Sequence, residues 1–263
     1  MFTPRLFVAD LIACLRFYTR LPIPALALEA APHELRDFSR AIRLSPLAGA
    51  IIGAIGALAL GLAHAARFPA SVCAGLALAT LLLTTGVFHE DGLADAADGL
   101  GGGASVERKL EIMKDSRIGS YGAAALGMSL LLRYAAVSAL TEADVWRAMA
   151  ALVAAGSVSR ACGLAPLSLL APARKQGAAF AGAGPTAATL ATAGMIALCF
   201  ALGPLVAGAS AAIVLASLVA AIVAALTMTA IAWRQIGGQT GDIAGAAQQV
   251  AEIALLCVLS MKA

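Results

Sequence analysis

Seven stretches of this chain, at 44–66, 70–88, 119–140, 146–171, 186–206, 210–233 and 243–260, are predominantly apolar for about the length that bilayer hydrocarbon requires. In lipid no water is available to the backbone, so every N–H and C=O must be satisfied within the segment, and each stretch must be a helix. The fold class is therefore all-α: a polytopic transmembrane helix bundle of about seven spans. Charged residues make up 13% of the chain, against about 25% in soluble domains. Mean hydropathy is +0.90. No internal repeat or separate soluble domain is visible, so 1–263 reads as a single integral membrane domain.

Ahead of the first span, residues 5–20 read as an amphipathic N-terminal helix, interfacial or re-entrant, stopped by Pro22 and Pro24. Asp10 and Arg16 interrupt its apolar face, which makes a cleaved signal the weaker reading. Gly49, Gly53 and Gly56 form a small-residue seam in the first span that lets a neighbouring helix approach closely.

The net charge of +3 is too small to argue for nucleic acid, and no basic run with interleaved aromatics supports it. The five cysteines are scattered singly and read as packing residues. His33, His64 and His89 lie far apart, so a bound metal should be a hard, oxygen-ligated one.

Against this background the stretch 88–115, FHEDGLADAADGLGGGASVERKLEIMKD, stands out. Glu90, Asp91, Asp95 and Asp98 fall within nine residues, and a single Asp at the bilayer centre costs roughly 2.5–3.5 kcal/mol. The segment must face water, and its clustered charge calls for a cation. On a helix Asp91, Asp95 and Asp98 occupy i, i+4 and i+7 and share an arc of roughly 60°. Such a comb suits magnesium, which prefers carboxylates plus substrate phosphate oxygens. A solvated, helix-capping acidic loop is the alternative. Gly92 weakens the helical reading and Gly99 is expected to end it.

Sorting the loops over seven spans places Arg20, Arg36, Arg40, Arg43, Arg108, Lys109, Lys114, Arg117, Arg174, Lys175 and Arg234 on one side, and Arg67, Arg147 and Lys262 on the other. The first side is cytoplasmic by the positive-inside rule. It also carries the acidic stretch, RKQG at 174–177 and GGQTGD at 237–242, so these can meet on one face. Lys114, just before the DSRIGSYG run at 115–122, and Arg117 within it are near enough to the aspartates to hold phosphate oxygens. Asp242 reads either as an N-cap of the last span or as a further metal or ribose contact. Arg133, Arg160 and Glu252 fall inside spans, where they need pairing or a polar cleft; a pairing of Arg160 with Glu252 or Gln248 is one solution.

FHEDGLADAADG, then RKLEIMKDSRIGSYG, then GGQTGD, together with RLPIP at 20–24, SPLAG at 45–49 and SVSR at 157–160, resemble the adenosylcobinamide-GDP ribazoletransferase family, also called cobalamin synthase. The resemblance covers almost the whole length. It implies a magnesium-dependent transferase of the bacterial inner (cytoplasmic) membrane, its active face cytoplasmic. Such an enzyme joins adenosylcobinamide-GDP to alpha-ribazole, or to its 5'-phosphate, and releases GMP. Carried onto this chain, Asp91, Asp95 and Asp98 hold the metal and diphosphate, with Asp115 and Asp242 as further ligands. Lys114, Ser116, Arg117, Arg160, Gly238 and Thr240 contact substrate, and His89 or an acid of the comb takes a proton. Glu90 has no assigned role in this scheme, and association into a homo-oligomer is left open.

Two rivals remain. CDP-alcohol phosphotransferases also build on DG and repeated aspartates, but with an Ala-Arg pair and a longer spacing than LADAADG provides. A secondary transporter calls for broken helices at mid-membrane and two related halves.

Overall fold

A computed structural model describes residues 4–24, 38–174 and 184–261. Arg36, Lys175 and Lys262 of the charge tally, His33, and residues 175–177 of the RKQG segment lie outside the described residues.

The chain runs through α1 (Pro4–Tyr18), α2 (Phe38–Ala41), a 3₁₀ turn (Ile42–Leu44), α3 (Ser45–Ala65), α4 (Ala70–Thr85), α5 (Phe88–Gly102) and α6 (Val106–Ile112). It continues through α7 (Ser120–Ala143), α8 (Val145–Cys162), α9 (Leu164–Leu169), α10 (Ala187–Ala201), α11 (Gly203–Val206), α12 (Ala211–Ile236) and α13 (Gly241–Leu259). Among the described residues there is no strand, only an isolated bridge between Pro172 and Gln239. Among the described residues six helical stretches are long and apolar enough to cross a membrane: Ile42–Ala65, Ser120–Ala143, Val145–Leu169, Ala187–Val206, Ala211–Ile236 and Gly241–Leu259. The expected all-α, multi-pass architecture is what the chain forms.

The second expected span differs. The apolar run at 70–88 predicts one unbroken helix, but α4 stops at Thr85, and α5 leaves at 86° to it, so the two make up at most one broken crossing. The reason is local. Gly86 and Val87 both sit at φ 62°, in the left-handed region. Glycine accepts this freely; a β-branched valine does so at a cost of about 1–2 kcal/mol. The RLPIP segment braces the turn: the Arg20 amide donates to the Thr84 carbonyl at 2.8 Å, and its side chain lies so close that a Cβ on Gly86 would stand 2.6 Å from Arg20 Cγ. Beyond the turn α5 passes Gly99 and ends only at Gly102, longer than expected. An irregular backbone at membrane depth is tolerable where it is buried in protein or lines a cavity.

The glycine seam of α3 is used as its spacing suggests. A Cβ on Gly49 would stand 2.0 Å from the Gly156 carbonyl oxygen of α8, and one on Gly53 2.4 Å from that of Leu152. Gly56 faces Leu81 of α4. The backbones of α3 and α8 therefore touch, and dispersion contacts hold them where no hydrophobic force acts between helices. By contrast Leu215, Val219, Ile222 and Val223 of α12 are exposed, as lipid-facing side chains can be at no cost.

Helix α1 is 15 residues long and amphipathic. Asp10, the residue that broke its apolar pattern, is buried and accepts from Arg40 at 2.9 Å and Arg43 at 3.0 Å. This fixes α1 against the start of α3 and carries Phe17 and Tyr18 to the beginning of α5.

Candidate active site

Between the start of α5, the end of α1 and the facing ends of α8, α9 and α13 lies a cavity of about 340 Å³, at the small end of ligand pockets. One wall is aromatic. Phe17 meets Phe88 edge-on at 5.2 Å between ring centroids, and Tyr18 stacks on His89 at 5.4 Å with the rings 19° apart. Arg160 lies over the Tyr18 ring at 5.5 Å. The other wall is polar and comes from Asp91, Pro172, Arg174, Gln239, Thr240, Gly241 and Asp242.

The polar wall exists because two glycines let helices touch. A Cβ on Gly92 would stand 3.3 Å from the Asp242 Cα, and Gly92 and Gly245 face each other across α5 and α13. Asp91 and Asp242, 151 positions apart, thereby line one space. The GGQTGD segment is held by a two-bond bridge: Gln239 N donates to the Ala171 carbonyl and Ala173 N to that of Gln239, each at 2.9 Å. Gly238 is needed there, since a Cβ would meet the Ala171 oxygen at 2.6 Å. It does not line the cavity. Thr240, not Asp242, is the N-cap of α13: its hydroxyl accepts from Ile243 N and donates to Asp242 Oδ2, each at 3.2 Å. Arg174 bridges the wall, 3.5 Å from Asp242 Oδ2 and donating to the Leu110 carbonyl at 3.0 Å.

The carboxylates of α5 take separate tasks. Asp91 faces the cavity. Asp95 is half-buried and feels Asp91, Asp242 and Asp98, with Arg174 the opposing charge. Asp98 turns to α7, where its oxygens accept from the amides of Gly119 at 2.7 Å and Gly122 at 2.8 Å. It supplies, from another helix, the cap that Gly119 has no side chain to give. Asp115 sits on the α6–α7 loop clasped by Arg117 at 2.6 Å, which holds its carboxyl down to about 2. Lys114, Ser116 and Arg117 are exposed and do not line the cavity.

Among the described residues no three His, Cys, Asp or Glu side chains converge closely enough to hold an ion by themselves. The comb is thus divided, because one tooth caps α7. What the geometry offers is Asp91 and Asp242 on a shared wall, with Asp95 adding negative charge. One or two carboxylates plus substrate oxygens and water is the set magnesium takes, so the residues present fit that ion.

Beneath the cavity runs a buried polar network. Arg133 of α7, 1% exposed, is paired with Glu90 at 2.9 Å and Glu252 at 3.3 Å. Gln248 donates to Ser159 Oγ and Glu252, both at 2.7 Å; Gln249 donates to Glu90 at 3.3 Å and accepts from Ser129 at 3.0 Å. Glu252 therefore pairs with Arg133 rather than with Arg160.

The family model for cobalamin-5-phosphate synthase matches residues 10–260. The chain belongs to the cobalamin-5-phosphate synthase family. It is 48% identical over 251 residues to the adenosylcobinamide-GDP ribazoletransferase of Azorhizobium caulinodans, covering 95% of this chain and 94% of that one. The transferases of the same name from Mesorhizobium japonicum and Xanthobacter autotrophicus are 45% and 47% identical, over 98% and 94% of this chain and 95% and 94% of theirs. No solved structure matches.

In this cobalamin-5-phosphate synthase family member, the residues predicted from sequence that share the cavity are His89, Asp91, Arg160, Thr240 and Asp242. Tyr18, Phe17, Phe88 and Arg174 were not singled out as site residues. The three rings lie at ends of apolar runs, where an aromatic reads as an interfacial anchor. Arg174 carried a signal, as a cation in a loop sorted to the acidic side. Glu90 had an available one too, since an acid beside the comb and an arginine inside a span each lacked a partner.

Proposed function

We propose that this chain is an adenosylcobinamide-GDP ribazoletransferase of the bacterial inner membrane, with its cavity open to the cytoplasm. The donor is adenosylcobinamide-GDP, the acceptor alpha-ribazole or its 5'-phosphate, and GMP leaves. The observation that carries this reading is the meeting of Asp91, Asp242 and Arg174 on one wall of a cavity whose other wall is four aromatic rings. One wall suits a diphosphate, the other a flat benzimidazole nucleoside.

Asp91 and Asp242, with Asp95 behind them, would hold magnesium, which when bound neutralises diphosphate charge and favours displacement at phosphorus. The chain's own groups do the rest. Arg174 and the amides at the start of α13 take phosphate oxygens and stabilise the departing GMP. The aromatic wall orients the acceptor so that a ribazole hydroxyl attacks the phosphorus on the cobinamide side. The bond from that phosphorus to the bridging oxygen breaks, and the electron pair goes to GMP. His89, on the cavity wall beside the acceptor, receives the hydroxyl proton. The corrinoid is too large for a cavity of about 340 Å³ and stays at its mouth.

The test is turnover by the purified protein in detergent, given adenosylcobinamide-GDP, alpha-ribazole or its 5'-phosphate, and magnesium. GMP and a cobalamin product should appear together, stop with a chelator and return with magnesium. A well-folded sample yielding neither product sinks the assignment. The broken helix is a feature that transporters share, so uptake into proteoliposomes without chemical conversion would favour that reading instead.

A further inference from the structure

The proposed reaction does not use the most unusual group in the cavity wall, the Arg160 guanidinium. Arg160 is in the last turn of α8, 4% exposed, with its stem against Gly49 and its guanidinium over Tyr18. Nη1 donates to the Gly156 carbonyl at 3.0 Å, while Nε is buried without a hydrogen-bond partner. The acids nearest in charge, Glu90 and Glu252, are both in ion-pair contact with Arg133. A buried cation with an unmet donor is costly, and the cost is recovered when an anion arrives. The other cation among the described residues lining the cavity, Arg174, is already against Asp242. The cavity therefore presents two cations of different character, Arg174 beside carboxylates and Arg160 among aromatic rings.

Resting on the function proposed above, we infer that Arg160 binds the 5'-phosphate of the acceptor and sets the preference for alpha-ribazole 5'-phosphate over alpha-ribazole. The base lies against the Tyr18, His89 and Phe88 rings, and its phosphate reaches the guanidinium, whose planar donors match phosphate oxygens. This keeps the acceptor's phosphate away from Asp91 and Asp242, which would repel it. The family's description as cobalamin-5-phosphate synthases fits a product that retains this group.

Turnover by the wild type, Arg160→Gln and Arg160→Lys is measured with each acceptor. For the phosphorylated acceptor kcat/KM should fall about 100-fold in Arg160→Gln, the equivalent of one charge-assisted contact, mainly through KM. For the free nucleoside the loss should be at least about tenfold smaller, because no phosphate contact is lost. Arg160→Lys should recover part of the preference. An equal loss for both acceptors, or no loss for either, overturns the inference while leaving the transferase reading intact. A wild type that converts neither acceptor overturns the transferase reading itself. Should Arg160→Gln fail to fold, the wild type gives a second readout. Ribose 5-phosphate should compete with the phosphorylated acceptor and ribose should not; equal behaviour of the two sugars rejects the inference.

Discussion

Arg133 of α7 and Glu90 of α5 meet at 2.9 Å in the interior of the bundle, with Glu252 of α13 on the same guanidinium at 3.3 Å. One cation serves two acids, which makes the three positions unequal. Arg133→Met leaves two buried carboxylates facing each other, whereas Glu90→Gln leaves a neutral Arg133–Glu252 pair and an amide that Gln249 can still reach. Removing one partner of a buried pair costs about 3–5 kcal/mol. The expected order in thermal unfolding of detergent-solubilised protein is wild type above Glu90→Gln above Arg133→Met. Equal midpoints for the two variants would show that the second carboxylate has another cation.

Asp98 predicts a coupled pair. Its carboxylate occupies the space above Gly119 and Gly122, where a Cβ on Gly122 would stand 2.2 Å from Oδ2. Gly122→Ala must push the carboxylate off the amides of α7, so it should resemble Asp98→Ala. Each variant should lose about 1–3 kcal/mol, the cost of buried amides left unsatisfied. The double variant should be little worse than either alone, a non-additivity expected of residues in contact. Full additivity in unfolding midpoints would separate the two.

How much of this was legible follows from the range of the forces involved. The all-α class and the run of apolar helices depend on composition over about 20 residues, and the sequence carries that directly. The i, i+4, i+7 spacing correctly placed Asp91, Asp95 and Asp98 on one helix. It could not say that Asp98 would be drawn away by α7, because that depends on a glycine 24 positions later lacking a side chain. The break at Gly86–Val87 was hidden for a similar reason: a valine at positive φ contradicts its own propensity, and tertiary contact from Arg20 holds it there. On sequence alone either role suits Asp242, cap or contact; in the structure Thr240 caps α13 while both Thr240 and Asp242 line the cavity.

The division of the acids yields a contrast in activity. Asp91→Asn and Asp242→Asn each remove a charge from the cavity wall and should lower kcat by about 100-fold or more, in the range of lost electrostatic stabilisation. Asp115→Asn should stay within about threefold of wild type, since its carboxylate is held by Arg117 outside the cavity, where exposed pairs contribute little. Steady-state rates at saturating magnesium and matched protein level decide this. A large loss at Asp115 with near-normal rates at Asp91 would move the site from the α5–α13 wall to the α6–α7 loop.

The turn at Gly86 and Val87 should respond in opposite directions to substitution. Val87→Gly removes a β-branched side chain from φ 62° and should leave stability unchanged or raise it by about 1 kcal/mol, the size of the left-handed penalty. Gly86→Ala adds that penalty and drives a Cβ to within 2.6 Å of Arg20, so it should displace the RLPIP segment from the turn. Because α1 delivers Phe17 and Tyr18 to the cavity just before that segment, the Gly86→Ala protein should lose affinity for the acceptor more than stability. The two readouts are the acceptor KM and the unfolding midpoint, measured on both variants. If Gly86→Ala leaves KM untouched, the brace between Arg20 and the turn does not position the aromatic wall, and the bend in the helix has to be held from the α7 and α13 side alone.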